Sequence, residues 1–338
     1  MDIREAIDLV VSGNDLPIDD AAAVMRQIMS GEATQAQLGS FLTALRLKGE
    51  STEEIAGMAT VMREFSLKVN VEGMLVDSVG TGGDGLGTFN ISTAAALVAA
   101  GAGLKVAKHG NRAASGNCGS ADVLEELGVR IELPPEGVER CIRESGIGFM
   151  FAQVFHPSMR HAGPVRREIG IRTVFNILGP LTNPAGAQSM LVGVAFPGLG
   201  EKMAEVLRLL ETHHSLVVHG DGGLDEMTLS GDTSVWEVSG GKVRNWTLSV
   251  ADTGLPVTPI EAVRGGDKVV NAKMMCELLG GAGGPVRDYV LLNSAGTLLV
   301  GDLVSNIRDG VQLAAQTIDN GAAKDRLESM IEVSQGGD

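Results

Sequence analysis

The chain predicts an α/β fold, with a small all-helical subdomain and a larger α/β subdomain built on a mainly parallel central sheet. Three observations carry that expectation. Residues 1 to about 70 offer only helical periodicity. From residue 75, short apolar runs alternate with helical stretches, the pattern of a parallel sheet covered on both faces. Between Leu75 and Gly101 a strand-like run, a glycine loop and a helix start follow one another directly.

In the N-terminal part, Ile3, Ile7 and Val10 share one helix face, ended by Gly13 and Asn14. Pro17 and Asp19 open a second helix that Gly31 closes. Thr34-x-x-Gln37 is a capping-box pattern before Leu38, Phe41, Leu42 and Leu45, and Gly49 ends that helix. Ser51-x-x-Glu54 opens a fourth, with Ile55, Met58, Ala59 and Met62 inward. Four short helices cannot bury all their apolar faces alone, so they must pack on something else.

Leu75–Val79 is a buried-strand run, and five glycines fall between Gly80 and Gly87. Asn90-Ile91-Ser92-Thr93 supplies capping side chains to an Ala/Leu/Val helix. Bare peptide N–H groups and a positive helix end suit an anion, above all a phosphate. Gly80, Gly82 and Gly85 also satisfy the dinucleotide fingerprint. That reading needs an acid after the next strand, and Lys108-His109-Gly110-Asn111-Arg112 stands there instead. No Gly-Lys-Ser/Thr follows the loop, which excludes a Walker loop.

Further strands are expected at Leu104–Ala107, Val129–Leu133, Gly148–Ala152, Ser189–Val194 and Ser215–His219. Val235–Val238 and Val243–Val250 read as an antiparallel pair around Gly240-Gly241, and Asp288–Leu292 as one more buried strand. The Gly80 loop, the Lys108 cluster and the Asp221–Glu226 loop all follow strand ends, where ligands of such sheets bind.

The 338 residues are 44% hydrophobic and only 3% aromatic, so the core must rely on aliphatic packing. A formal charge of −15 argues against nucleic-acid or anionic-membrane partners. Any phosphate must be met by a local cationic site. Cys118, Cys141 and Cys276 have no metal spacing and read as reduced thiols of a cytoplasmic protein. MDIREAIDLV is too charged for a signal peptide, and no apolar run is long enough to span a bilayer.

Several residues could carry chemistry. Lys108 and Arg112 sit in a cluster that reads as an anion site or as a solvated turn. His109 is either a general base or a neutral wall of a pocket. Asp225-Glu226 can offer a magnesium ion its one or two carboxylates. Arg166 or Arg167, placed before a helix-like segment that stops at Leu178, could grip a carboxylate with two parallel hydrogen bonds. Ser120 opens a helix and can touch phosphate. Asp122, Glu125 and Glu126 read as cap and surface charges, and His156 and His161 as structural.

Taken together, the pieces resemble the anthranilate phosphoribosyltransferase family. They are GTGGD at Gly80–Asp84, NIST at Asn90–Thr93, KHGNR at Lys108–Arg112 and GSADVLEELG at Gly119–Gly128. VRREIGIRTVFNILGPLTNP at Val165–Pro184 and the Asp225-Glu226 pair follow in the family's order. The resemblance implies transfer of a phosphoribosyl group from phosphoribosyl pyrophosphate (PRPP) to the amine of anthranilate, the second step of tryptophan synthesis. It implies donor contacts at Gly80, Gly83, Asp84, Thr88, Asn90, Ile91, Ser92, Thr93, Lys108, His109, Gly110, Asn111, Arg112, Ser115, Gly116 and Ser120. It implies anthranilate contacts at Gly80, Asn111 and Arg166, and Mg2+ held by Ser92, Asp225 and Glu226. It also implies a homodimer through a helical subdomain of residues 1–70 joined by about 165–184, with 71–164 and 185–338 forming the α/β subdomain. A pyrimidine nucleoside phosphorylase shares this architecture but runs longer and has a different cationic motif. A non-catalytic phosphate- or nucleic-acid-binding relative is disfavoured by the acidic balance and by Arg166 with Asp225-Glu226.

Overall fold

The computed structural model describes residues 1–113 and 118–336. Four helices come first: α1 (Ile3–Val11), α2 (Ile18–Ser30), α3 (Gln35–Lys48) and α4 (Thr52–Glu64). Capping boxes at Thr34/Gln37 and Ser51/Glu54 open α3 and α4, as their spacing predicts, and Asp2/Glu5 does the same for α1. Gly31 closes α2 in the left-handed conformation, at φ 80°.

Five parallel strands then form the body of one seven-stranded sheet: β1 (Leu75–Gly80), β2 (Lys105–Gly110), β3 (Ile147–Phe151), β4 (Ser189–Gly193) and β5 (His214–Gly220). The antiparallel strands β6 (Thr233–Ser239) and β7 (Lys242–Leu248) complete it, in the order β3-β2-β1-β4-β5-β6-β7. Between them run α5 (Ile91–Gly101), α6 (Ser120–Glu126), α7 (Pro135–Ser145), the short α8 (Ala152–Phe155), α9 (Met159–Ile169), α10 (Phe175–Leu178) and α11 (Gly200–Leu209). The C-terminal part adds α12 (Val250–Thr253), α13 (Lys268–Leu279), α14 (Pro285–Val300), α15 (Ile307–Asp319) and α16 (Ala322–Gln335). No helix is long and apolar enough to cross a membrane among the described residues.

Strand alternation sends side chains to two cores. Met190 and Val192 of β4 join Phe41, Leu45, Ile55 and Met62 of the helical part, with Met203 and Leu207 of α11. Leu191, between them, joins the α5 and α14 side chains on the opposite face. The apolar faces left over by α1–α4 are therefore met by the sheet and by α9 and α10, which pack on α2, α3 and α4.

Three expectations need correction. Val129, Ile131 and Leu133 alternate buried with exposed neighbours, as a half-buried strand would, yet the segment pairs with no strand. Its side chains reach the cores without a ladder. Asp288–Leu292 lies inside α14, a helix buried nearly all round; a short apolar run without periodicity cannot separate strand from buried helix. β7 ends at Leu248, where Ser249 caps α12, so Val250 is helical.

Candidate active site

The glycine loop leaves β1 at Gly80 and crosses four positive-φ glycines: Gly82, Gly83, Gly85 and Gly87. It returns through a bridge between Thr88 and Arg264, with Phe89 N–H on the Val263 carbonyl. Gly82 N–H donates to Asp225 Oδ2 at 2.7 Å, so the loop and the acid pair meet. Gly80 and Gly193 allow that meeting, because a Cβ on either would overlap Asp225.

Glu226 faces the start of α5, where Ser92 N–H donates to its Oε1 at 3.1 Å. The positive helix end thus already carries one carboxylate. Burial, then the neighbouring Asp225 charge, pushes the Glu226 carboxyl up to about 8. Burial, then the nearby Asp84, raises Asp225 well above the usual carboxylate range. Three acids crowd one place without enough positive charge. Asn90 caps nothing with its side chain; it binds the Cys118 carbonyl and accepts from Asn271 instead. Ile91 and Thr93 are buried, and Ile91 N–H is spent on Phe89 O at 2.7 Å.

The KHGNR run is not a loop at its start. Strand β2 continues to Gly110, which puts Lys108 and His109 inside the sheet. Lys108 is buried, donates to the Ser78 carbonyl at 2.7 Å, and lies in the field of Asp77 and Glu226. Desolvation outweighs those acids and lowers its pKa. Arg112 pairs with Asp122 and Glu125, which raise its pKa. Asp122 also accepts from Gly119 and Ala113 N–H, so the cap reading of that acid holds. Ser120 Oγ lies 3.4 Å from the Asn111 carbonyl, and Asn111 Oδ1 accepts from Arg112 N–H. Ser115 and Gly116 lie outside the described residues.

His109 Nδ1 sits 3.2 Å from the Gly179 carbonyl, which can only accept, so this nitrogen carries the proton. Its Nε2 faces His156 Nε2, also at 3.2 Å. Burial, with the facing His156, pushes His109 down to about 3. A neutral ring with both nitrogens engaged suits a pocket wall better than a general base. His156, read from sequence as merely structural, is its partner.

Arg166 lies in the last turn of α9, not ahead of a helix; Gly170 ends that helix at φ 67° and α10 is a separate turn. Its guanidinium packs over the Phe175 ring at 5.1 Å. Among the described residues no carboxylate pairs with it, and burial lowers its pKa. Arg172 went unnoticed in the sequence. It donates to the Gly82 carbonyl at 3.3 Å and stacks over Phe196, 90 positions from the loop it touches. A cavity of about 270 Å3 lies beside it, lined by Arg46, Asn176, Phe196 and Lys202 among others. A larger one, about 610 Å3, is lined by residues of α4, the segment after it and the end of α11, and shares none with the glycine loop. Chemistry, not volume, marks the site.

Residues 72–324 match the profile of a glycosyl transferase family α/β domain, and residues 4–66 match that family's helical bundle domain. The anthranilate phosphoribosyltransferase of Chloroflexus aurantiacus is 59% identical over 338 residues, 99% of this chain and 100% of that one. The chain belongs to the anthranilate phosphoribosyltransferase family. The crystal structure of an anthranilate phosphoribosyltransferase from Thermus thermophilus has a TM-score of 0.93 at 45% identity, covering 98% of this chain and 99% of that one. The Saccharomyces cerevisiae anthranilate phosphoribosyltransferase, solved in complex with PRPP and Mg, has a TM-score of 0.91 at 29% identity over 99% of this chain and 98% of that one.

Proposed function

We propose that this chain moves the 5-phosphoribosyl group of PRPP to the amine of anthranilate. The bond from ribose C1 to pyrophosphate breaks, the bond from C1 to nitrogen forms, and the amine gives up a proton. One observation carries the reading: a glycine loop, a helix start and an acid pair meet at the carboxyl ends of β1 and β5. A full-length match to the anthranilate phosphoribosyltransferases supports it.

In this reading the amides of the 80–88 loop seat the diphosphate, with the positive end of α5 beside them. Lys108 supplies a cation in the field of Glu226. Arg166, a half-buried guanidinium without a carboxylate partner among the described residues, grips the anthranilate carboxylate. Neutral His109, with Gly179 and Asn111, walls the acceptor side. The donor set of Asp225, Glu226 and the Ser92 hydroxyl fits magnesium, being all oxygen and short of positive charge. Among the described residues no three His, Cys, Asp or Glu converge as a metal cluster, and a magnesium ion completed by waters and phosphates needs none. Bound there, Mg2+ neutralises the charge that builds on departing pyrophosphate. Catalysis is then positioning and charge stabilisation, with no protein nucleophile.

The helical unit, residues 1–70 with 165–184, is in this reading the homodimer contact of a cytoplasmic enzyme. The exposed Val11 and Leu47 support that face. Loss of anthranilate fluorescence tests the function: it should require both PRPP and Mg2+, and no loss with both present refutes it.

A further inference from the structure

We propose that Arg63 is a positioning residue for the acceptor pocket, fixing the Gly179–Thr182 turn and, through it, the His109 ring. The proposal rests on the acceptor-side reading of His109 given above.

Arg63 stands in the last turn of α4, where the helical part hands over to β1. Its Nε donates to the Leu181 carbonyl at 2.7 Å, across 118 positions of sequence. Leu181 ends the single helical turn Gly179–Leu181. Thr182 closes that turn, with its N–H and its hydroxyl both on the Gly179 carbonyl. The same carbonyl takes the His109 Nδ1 proton. A rotation of the turn would therefore rotate its hydrogen bond to the ring.

The residues after Arg63 bear on the same wall. Leu67 N–H donates to the Phe155 carbonyl, next to His156, at 2.9 Å, and Val69 N–H to Pro184 O at 3.4 Å. The Arg63 carbonyl is itself held by the Ser66 hydroxyl and by Lys68 Nζ. The linker between the helical part and the sheet is thus a strap across both segments that meet at the two histidines. Among the described residues Arg63 Nη2 is buried with no partner, and the hydrogen bond that the guanidinium makes goes to this carbonyl rather than to an acid. Its desolvated guanidinium, lowered to about 10, makes a strong donor to a carbonyl. A shift of the helical part against the sheet would reach the acceptor wall through this link.

The test is a double-mutant cycle read as KM for each substrate. Arg63→Met should raise the anthranilate KM about tenfold and move the PRPP KM less than about twofold. Arg63→Lys, which keeps a cationic donor, should recover part of the loss. In a His109→Ala background Arg63→Met should add less than about twofold, because its effect runs through that ring. Effects that multiply in the double variant, or equal rises for both substrates, overturn the proposal. If Arg63→Met does not fold, the same cycle is run with Arg63→Lys and judged by the same two criteria. If His109→Ala leaves the anthranilate KM unchanged, the acceptor-side reading fails and the proposal with it. If His109→Ala raises that KM and the Arg63 variants do not, the proposal alone fails.

Discussion

Gly82 and Asp225, 143 positions apart, share a hydrogen bond of 2.7 Å from peptide amide to carboxylate. It joins the loop proposed to seat phosphate to the pair proposed to hold the cation. Asp225 is half-buried next to Asp84 and Glu226, so the pair is costly without a counter-charge. Asp225→Asn with Glu226→Gln should therefore lower turnover at ordinary magnesium by roughly a hundredfold or more, with the thermal midpoint held or raised. Steady-state rates and a melting curve check both parts. Unchanged rates remove these residues from the metal site.

Gly83 sits at φ 82°, and a Cβ there would overlap the Arg172 guanidinium. Gly83→Val should abolish PRPP binding while leaving the circular dichroism spectrum and the melting transition in place. The loop is exposed at this point and contributes little to the core. Normal donor affinity in the variant refutes the cradle.

Arg166→Ala removes a guanidinium that no carboxylate in the described chain neutralises. The anthranilate KM should rise about ten- to a hundredfold, and the PRPP KM should stay within about twofold. Kinetics with each substrate varied in turn checks this. Equal effects on both would reassign the residue.

The buried histidine pair gives a pH signature. His109 is held down to about 3 and His156 to about 4, while in the unfolded chain each titrates near 6.5. Below that value the unfolded state takes up protons that the folded state refuses, so stability is present near neutral pH and lost as pH falls from about 6.5 toward 4. His109→Gln should flatten this part of the stability–pH curve relative to the wild type. Denaturant titrations at pH 7 and pH 5 measure it, and an unchanged slope contradicts the neutral-pair account.

Local chemistry was legible in the sequence wherever one stretch contains its own cause. Capping boxes at Thr34 and Ser51, the glycine loop after β1 and the turn at Gly240-Gly241 all formed as expected. The errors lie where tertiary surroundings decide. Helix α14 is buried nearly all round because the molecule surrounds it, which erases its period. Val129–Leu133 alternates like a strand but joins no ladder. Lys108 reads as a loop cation, yet β2 runs past it and the sheet buries it. Arg112 pairs with two acids of α6, contacts that its own stretch does not announce. Arg63, Arg172 and His156 act through contacts with distant segments, which leave no local signal.

The central claim is that peptide amides seat the diphosphate and that a cation at Asp225 and Glu226 offsets its charge. Calorimetric titration of PRPP into the protein, with Mg2+ and then with EDTA, tests it most directly. The account predicts saturable binding with Mg2+ that weakens at least about tenfold in EDTA and in the Asp225→Asn, Glu226→Gln variant. Equal affinity under all three conditions would contradict it.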